Sequence, residues 1–162
     1  MISKIEEQTV SVTIWGDGLV KKRWSDWYLD MSNIFHQLGY ARTHIGIVSE
    51  NYKKTKLLTV MRKEKEVLNQ LNDGVEPTSL SLYSLPNQYK TATFDYNILV
   101  VRQDKYISVI VNKSDFEKLD LTNLIDTLVK YIEFDSGEVY MMNRNEVPLI
   151  YASKANAKET FK

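Results

Sequence analysis

Hydrophobic and polar residues alternate at the start of the chain, from Val10 to Trp15. A period of two, with β-branched residues in the majority, predicts a strand that buries one face. The strand is followed by Gly16-Asp17-Gly18, and both glycine and aspartate favour turns. The pattern therefore predicts a strand that ends at a turn.

The next hydrophobic residues recur every three or four positions between about Arg23 and Leu38. This spacing predicts an amphipathic helix whose apolar stripe faces a core. Gly39 predicts the end of that helix, because glycine adopts a positive φ at little cost. The apolar stretch from His44 to Val48 predicts a further strand. The apolar stripe of the helix consists of Trp24, Trp27, Tyr28, Met31, Ile34, Phe35 and Leu38.

The middle of the chain contains both periods. Residues 53–62 fit either a short strand or the start of a helix, whereas Lys63 to Asn72 has the helical spacing. Ser79 to Ser84 alternates strictly, as a half-buried strand does. Two apolar runs separated by two residues predict a β-hairpin, and they are Phe94 to Arg102 and Lys105 to Asn112.

A long helix is predicted from Ser114 to about Phe134. Ser114 and Glu117 have the spacing of a capping box, in which each side chain bonds the exposed backbone amide of the other residue. Two strands are predicted after this helix, Glu138 to Met142 and Val147 to Tyr151.

Runs of strands joined by short loops predict an α+β fold. We expect one domain over residues 1–153, followed by a frayed polar tail over residues 154–162. The domain is expected to contain an antiparallel or mixed sheet of about five to seven strands, with two or three helices packed on it.

Composition narrows the class of protein. The chain has 162 residues, no cysteine, and 21 basic against 21 acidic residues. The lack of cysteine excludes disulfides, zinc–thiolate sites, iron–sulfur clusters and thiol catalysis. Zero net charge disfavours nucleic acid or an anionic membrane as a partner. Neither a membrane-spanning apolar run nor the apolar region of a signal peptide is present, so we expect a cytoplasmic protein.

Candidate sites for chemistry are few. His36 and His44 lack the spacing of a metal-binding pair, so neither a metal nor a cofactor is expected. Gly16-Asp17-Gly18 lacks the third glycine of a dinucleotide-binding loop, and its aspartate would repel a phosphate. The sequence contains no G-x-S-x-G or S-x-x-K nucleophile motif. We therefore expect no catalytic residue.

Charge is unevenly distributed along the chain. Residues 114–146 contain three basic and eight acidic side chains, which gives a net charge of −5. Two interpretations are open, a solvated helix face or a surface that meets a basic partner. Glu133, Asp135 and Glu138 favour the second, because the predicted helix ends near them and a helix C-terminus disfavours negative charge.

Aromatic residues near the start of the first helix supply a candidate anchor. Trp24, Trp27 and Tyr28 cover about a third of the helix circumference, so they cannot all be equally buried. Core packing accounts for most of them, but one at the rim beside Asp26 would suit a binding interface, where tryptophan is enriched. The candidate interface residues are therefore Trp24, Asp26, Trp27, Glu133, Asp135 and Glu138.

The order of elements resembles that of a known class of proteins. Ile14-Trp15-Gly16 precedes a helix containing Trp27-Tyr28, Leu80-Ser81-Leu82-Tyr83 lies mid-chain, and a long helix precedes Gly137-Glu138-Val139-Tyr140 and Pro148-Leu149-Ile150-Tyr151-Ala152. This layout resembles the small α+β immunity proteins of bacterial polymorphic-toxin and contact-dependent inhibition systems, and is loosely similar to the immunity protein 52 family. The resemblance implies a protein that is not an enzyme and that neutralises a cognate toxin by covering its active site or an essential surface.

Three functions follow as hypotheses. The first is an immunity protein, a monomer or weak dimer, whose partner is a toxin domain such as a nuclease, with no direct contact to nucleic acid or membrane. The second is a small-molecule-binding or small enzymatic domain with a pocket between the sheet and the helices. The third is a structural protein of a phage or mobile element.

Overall fold

A single antiparallel sheet organises the molecule. The computed structural model describes residues 8–17, 23–50, 52 and 56–154. The strands lie in the order β3-β2-β4-β5-β6-β1-β7, so that β3 and β7 form the two edges. The strands are β1 Gln8–Asp17, β2 His44–Val48, β3 Lys56–Thr59, β4 Ser79–Ser84, β5 Ile98–Gln103, β6 Tyr106–Asn112 and β7 Glu133–Asn143.

Helices cover both faces of this sheet. They are α1 Trp24–Leu38, α2 Val60–Asn72, α3 Ala92–Asp95, α4 Lys113–Phe116, α5 Leu121–Leu128 and α6 Pro148–Lys154, with a 3-10 turn at Val129–Tyr131. The sheet and the helices that pack on it confirm the predicted α+β fold class. In the described part of the chain, no helix is long and apolar enough to cross a membrane.

The main core lies between one face of the sheet and helices α1, α2 and α5. Trp27, Tyr28 and Met31 on α1 are 0% exposed, as the three-and-four spacing of the sequence predicts. They pack with inward residues of the central strands, including Ile14 and Val100. The α1 helix ends at Gly39, whose φ of 80° lies in the left-handed region that glycine tolerates best.

A second, smaller core lies on the opposite face. It includes Trp15, Tyr106 and Tyr140, and α6 contributes Ala152. The indole Nε1 of Trp15 donates a hydrogen bond of 2.9 Å to the carbonyl oxygen of Ala152. The Tyr140 hydroxyl donates one of 3.2 Å to the carbonyl oxygen of Pro148, so both ends of α6 are attached to the sheet.

The predicted long helix from Ser114 to Phe134 is wrong. The chain instead forms α4, α5 and the 3-10 turn, and then enters β7. The cap of α5 is Asp120, whose carboxylate accepts a hydrogen bond of 3.1 Å from the Asn123 amide. Ser114 lies inside α4, with Asn112 at the N-cap, so the predicted capping box does not form.

Other boundaries also differ from the prediction. Residues 147–151 were predicted as a strand, but α6 occupies this region and begins at Pro148, because proline suits the first position of a helix. Of the ambiguous residues 53–62, the described ones form β3 and then the start of α2. Most of the predicted tail, residues 155–162, lies outside the described residues, and Lys154 belongs to α6.

The predicted turn at Gly16-Asp17-Gly18 is only partly described. Gly16 and Asp17 belong to β1, whereas Gly18 lies outside the described residues. The pairing of β1 with β7 shifts register between Trp15 and Gly16, which marks a β-bulge. A Cβ atom on Gly16 would lie 1.8 Å from the carbonyl oxygen of Glu133, so this close approach requires glycine.

Candidate protein interface

A stack of aromatic and cationic side chains lies where α1 and β7 begin. The guanidinium carbon of Arg102, on β5, lies 4.2 Å from the centroid of the Trp24 ring and 5.6 Å from that of Tyr131. Its Nη2 also donates a hydrogen bond of 2.9 Å to the carbonyl oxygen of Tyr131. Arg102 is 1% exposed, and burial lowers the pKa of its guanidinium to about 10. Three separate elements therefore meet at one buried cation.

The rim of this stack is charged. The guanidinium carbon of Arg23 lies 5.5 Å from the centroid of the Tyr131 ring. The Nε of Arg23 also lies 3.0 Å from Oδ2 of Asp26, in an exposed ion pair. The Tyr131 hydroxyl donates a hydrogen bond to Asp30. Burial, followed by the hydrogen bond to Asp30, raises the pKa of Tyr131 well above its usual value. Tyr131 thus stays protonated and holds α1 against the start of β7.

The two candidate tryptophans have different environments. Trp27 is 0% exposed and belongs to the core, so its prediction as an interface residue is wrong for this fold. Trp24 is half-buried, and its ring meets that of Trp27 edge-on with centroids 6.5 Å apart. Trp24 is therefore the rim aromatic that the sequence predicts without identifying.

The acidic candidates do not lie at a helix C-terminus. Glu133, Asp135 and Glu138 are all on β7, so the argument from the helix dipole is wrong. Glu133 and Asp135 are exposed, and the backbone of Glu133 lies opposite that of Asp17 in the β1–β7 ladder. Exposed charges on an edge strand have a structural role of their own, because they oppose edge-to-edge aggregation.

Glu138 lies apart from the other two acids. It is half-buried on the face that α6 covers, and its Oε1 accepts a hydrogen bond of 2.7 Å from the Tyr151 hydroxyl. That hydrogen bond is the main cause that raises the pKa of Tyr151 to about 12. Glu138 therefore attaches α6 to the sheet, and this contact accounts for it without a partner protein.

Tyr131 links the two parts of the chain that contain most of the predicted interface residues. Asp26 is close enough for its charge to raise the pKa of Tyr131, and Glu133 follows Tyr131 by two residues. Trp24 and Asp26 lie at the start of α1, Glu133 and Asp135 lie at the start of β7, and Tyr131 connects these two elements. We call these four residues the acidic rim.

Sequence reasoning missed the buried cation beneath this surface. The alternation of side chains along a strand could have indicated it. Arg102 lies on the same face of β5 as Ile98 and Val100, which point into the main core. Asp30 was missed as well, because its partner Tyr131 is 101 residues away in sequence.

Two clefts lie beside α1, and one of them, an open cleft along its C-terminal half, has a volume of about 580 Å³. A polar groove of about 130 Å³ lies between α1 and α5, lined by residues that include Asp30, Asn33 and Asn123. The layer between α1 and the sheet is filled by side chains such as Phe35, which is 1% exposed, so a ligand there would have to displace core residues. Among the described residues, no three His, Asp or Glu side chains are grouped as a metal site requires.

Comparison with known proteins indicates the fold. No family model matches the chain, and no curated protein matches it. A solved structure, the T6SS protein PA0821 of Pseudomonas aeruginosa, is similar with a TM-score of 0.57 and 12% sequence identity. The match covers 83% of this chain and 40% of that protein, so the chain spans less than half of the neighbour's length. At this identity, the likeness shows that the two proteins share a fold.

Proposed function

We propose that this chain is an immunity protein, which binds a cognate toxin domain and neutralises it by covering its active site or an essential surface. The observation that carries the proposal is the acidic rim: two exposed carboxylates at the start of an edge strand, and a third carboxylate with a half-buried tryptophan in the first turn of α1. Tryptophan is enriched at binding hot spots.

The stack beneath the acidic rim supports a binding role. Trp24 is held from below by Arg102 and from the side by Trp27. A side chain that is already fixed loses little entropy when a partner covers it, which favours affinity. The rim thus combines an ordered apolar anchor with negative charge.

The proposed partner has a basic surface, as a nuclease active site does. Glu133 and Asp135 would attract such a surface and accelerate association. Under this proposal, the chain has no chemistry of its own, acts as a monomer or weak dimer in the cytoplasm, and contacts neither nucleic acid nor membrane. A secretion-system protein of the same fold is compatible with a toxin-related role.

The test is co-expression with the C-terminal domain of the polypeptide encoded immediately upstream of this chain. If that domain is toxic, we expect this chain to restore growth and to co-purify with it as a one-to-one complex. A toxic domain that is neither rescued nor bound would contradict the proposal. A harmless upstream domain that does not bind would do the same, and a metabolite screen by thermal shift would then test the pocket hypothesis.

Charge reversal tests the location of the interface. We expect the double variant Glu133→Lys, Asp135→Lys to weaken the complex by more than about 1 kcal/mol, because two charges of the acidic rim are inverted. The control is Asp73→Lys with Glu117→Lys, which makes the same change of net charge at two exposed positions outside the rim. Equal affinity of the two double variants would remove the acidic rim from the interface.

A further inference from the structure

The two edges of the sheet differ in length and in protection. The β3 edge has 4 residues, whereas β7 has 11 and pairs, within the described chain, with β1 alone. A long edge strand presents a row of backbone amides and carbonyls that another strand can join. Most native proteins block such an edge with charges, bulges or proline.

On β7, that protection covers one half of the strand. Glu133, Asp135 and Glu138 all precede Val139, and the bulge opposite Gly16 lies in the same half. From Val139 to Asn143, the strand has no charged residue, no proline and no glycine. Its register with β1 is regular here, from Gln8 opposite Asn143 to Val12 opposite Val139.

The uncharged half also has apolar side chains to share with a new strand. Met141 is 49% exposed, while Met142 is partly buried against the second core on the opposite face. Successive residues of a strand point to opposite faces, so a strand added at this edge would extend both layers of the protein. It would bury Met141, which is among the most exposed large apolar side chains described.

We propose that the partner binds by adding one of its own extended segments, antiparallel, to the open edge of β7 at residues 139–143. This inference rests on the proposed function and specifies how the partner is held. Backbone hydrogen bonds from the added strand supply the attachment, and alternate side chains supply specificity.

The antiparallel direction and the charges on β7 together predict the composition of that segment. An antiparallel strand that begins opposite Asn143 runs toward Glu133, so its C-terminal end lies beside Glu133 and Asp135. The segment is therefore expected to have alternating apolar residues followed by lysine or arginine. Its basic end would meet the acidic rim, and its apolar part would cover Met141.

Hydrogen exchange on the one-to-one complex with the upstream C-terminal domain tests this attachment. In the free protein, the amides between Val139 and Asn143 that point away from β1 should exchange fast, and alternate amides of this segment should become protected in the complex. A complex that forms without this protection would overturn the strand addition while leaving the proposed function in place. If no complex forms, the proposed function fails and the inference falls with it.

A charge at the open edge gives a second readout. Met141→Lys should weaken the complex about tenfold or more, because a lysine would be placed where the added strand packs. The matched control is Ile150→Lys on α6, since Ile150 is 51% exposed and Met141 is 49% exposed. Equal loss of affinity in both variants would contradict the proposal.

A second copy of this chain is the competing occupant of the edge. Light scattering on the isolated protein distinguishes the two cases. A dimer that Met141→Lys converts to monomer would show that β7 pairs with itself, and would overturn the assignment to a partner segment.

Discussion

The guanidinium carbon of Arg102 lies 4.2 Å from the centroid of the Trp24 ring, so a residue of β5 fixes the side chain that begins α1. The same guanidinium donates a hydrogen bond to the carbonyl oxygen of Tyr131, just before β7. One buried cation therefore connects the aromatic and acidic parts of the proposed interface.

Removing this cation should destabilise the fold and loosen the anchor. We expect Arg102→Ala to lower the free energy of unfolding by about 2–4 kcal/mol, because it leaves a cavity and an unpaired carbonyl oxygen. Arg102→Met should lose less, since it keeps most of the buried volume and replaces a desolvated charge by an apolar side chain. Chemical denaturation of the two variants checks the order, and a smaller loss in the alanine variant would contradict this account.

The close approach of Gly16 to the backbone of Glu133 predicts that two glycines differ in their tolerance of an alanine substitution. Gly16→Ala should destabilise the protein by about 1–3 kcal/mol, because its Cβ would overlap the Glu133 carbonyl oxygen and force β7 to move. Gly46→Ala is the control, since its Cβ would make an ordinary contact of 3.4 Å with the Tyr83 ring. Thermal unfolding of both variants measures the difference, and equal melting temperatures would show that the bulge adapts freely.

The hydrogen bond between Tyr151 and Glu138 should contribute to stability rather than to partner binding. We expect Tyr151→Phe to reduce the free energy of unfolding by about 1 kcal/mol, because a hydrogen bond to a charged group is lost. Tyr89→Phe removes the same hydroxyl from a tyrosine that is 36% exposed, and should have little effect. A loss of affinity for the partner in Tyr151→Phe, at unchanged stability, would return Glu138 to the interface.

Tyrosine ionisation predicts alkaline unfolding. Burial raises the pKa of Tyr96 and Tyr106 to about 12, and the hydrogen bond to Glu138 raises that of Tyr151 to about 12. In the unfolded chain these groups ionise near their ordinary value of about 10. The unfolded state therefore loses protons first, so stability is fully present below about pH 10 and declines between about pH 10 and 12.

The measurement is a pH titration of tyrosinate absorbance alongside far-ultraviolet circular dichroism. We expect these tyrosines to ionise together with unfolding rather than before it. Ionisation of the buried tyrosines at about pH 10 in a folded protein would contradict the raised pKa values.

Local pattern was sufficient for the elements whose period is long and clear. The stripe from Trp24 to Leu38 predicted α1, and Gly39 predicted its end. The strands β2 and β4 have the predicted bounds, because an apolar run of five residues and an alternating run of six residues are local properties of the chain.

Tertiary structure decided the region after Leu128. The apolar residues there fit a helix as well as a strand, and pairing with β1 selects the strand. This pairing joins residues more than 100 positions apart, so no local window contains it. It moved Glu133 and Asp135 from a helix end to a sheet edge, and assigned Glu138 to Tyr151.

The sequence likewise did not predict how deeply each aromatic side chain is buried. Periodicity placed Trp24 and Trp27 on one stripe, but the docking of α1 on the sheet buries Trp27 completely and leaves Trp24 at the rim. The sequence alone determined the fold class, the amphipathic faces and the excess of acid in the last third of the chain. Only the packing of distant strands and helices determined which of those residues share a surface, because burial and proximity depend on contacts far apart in the chain.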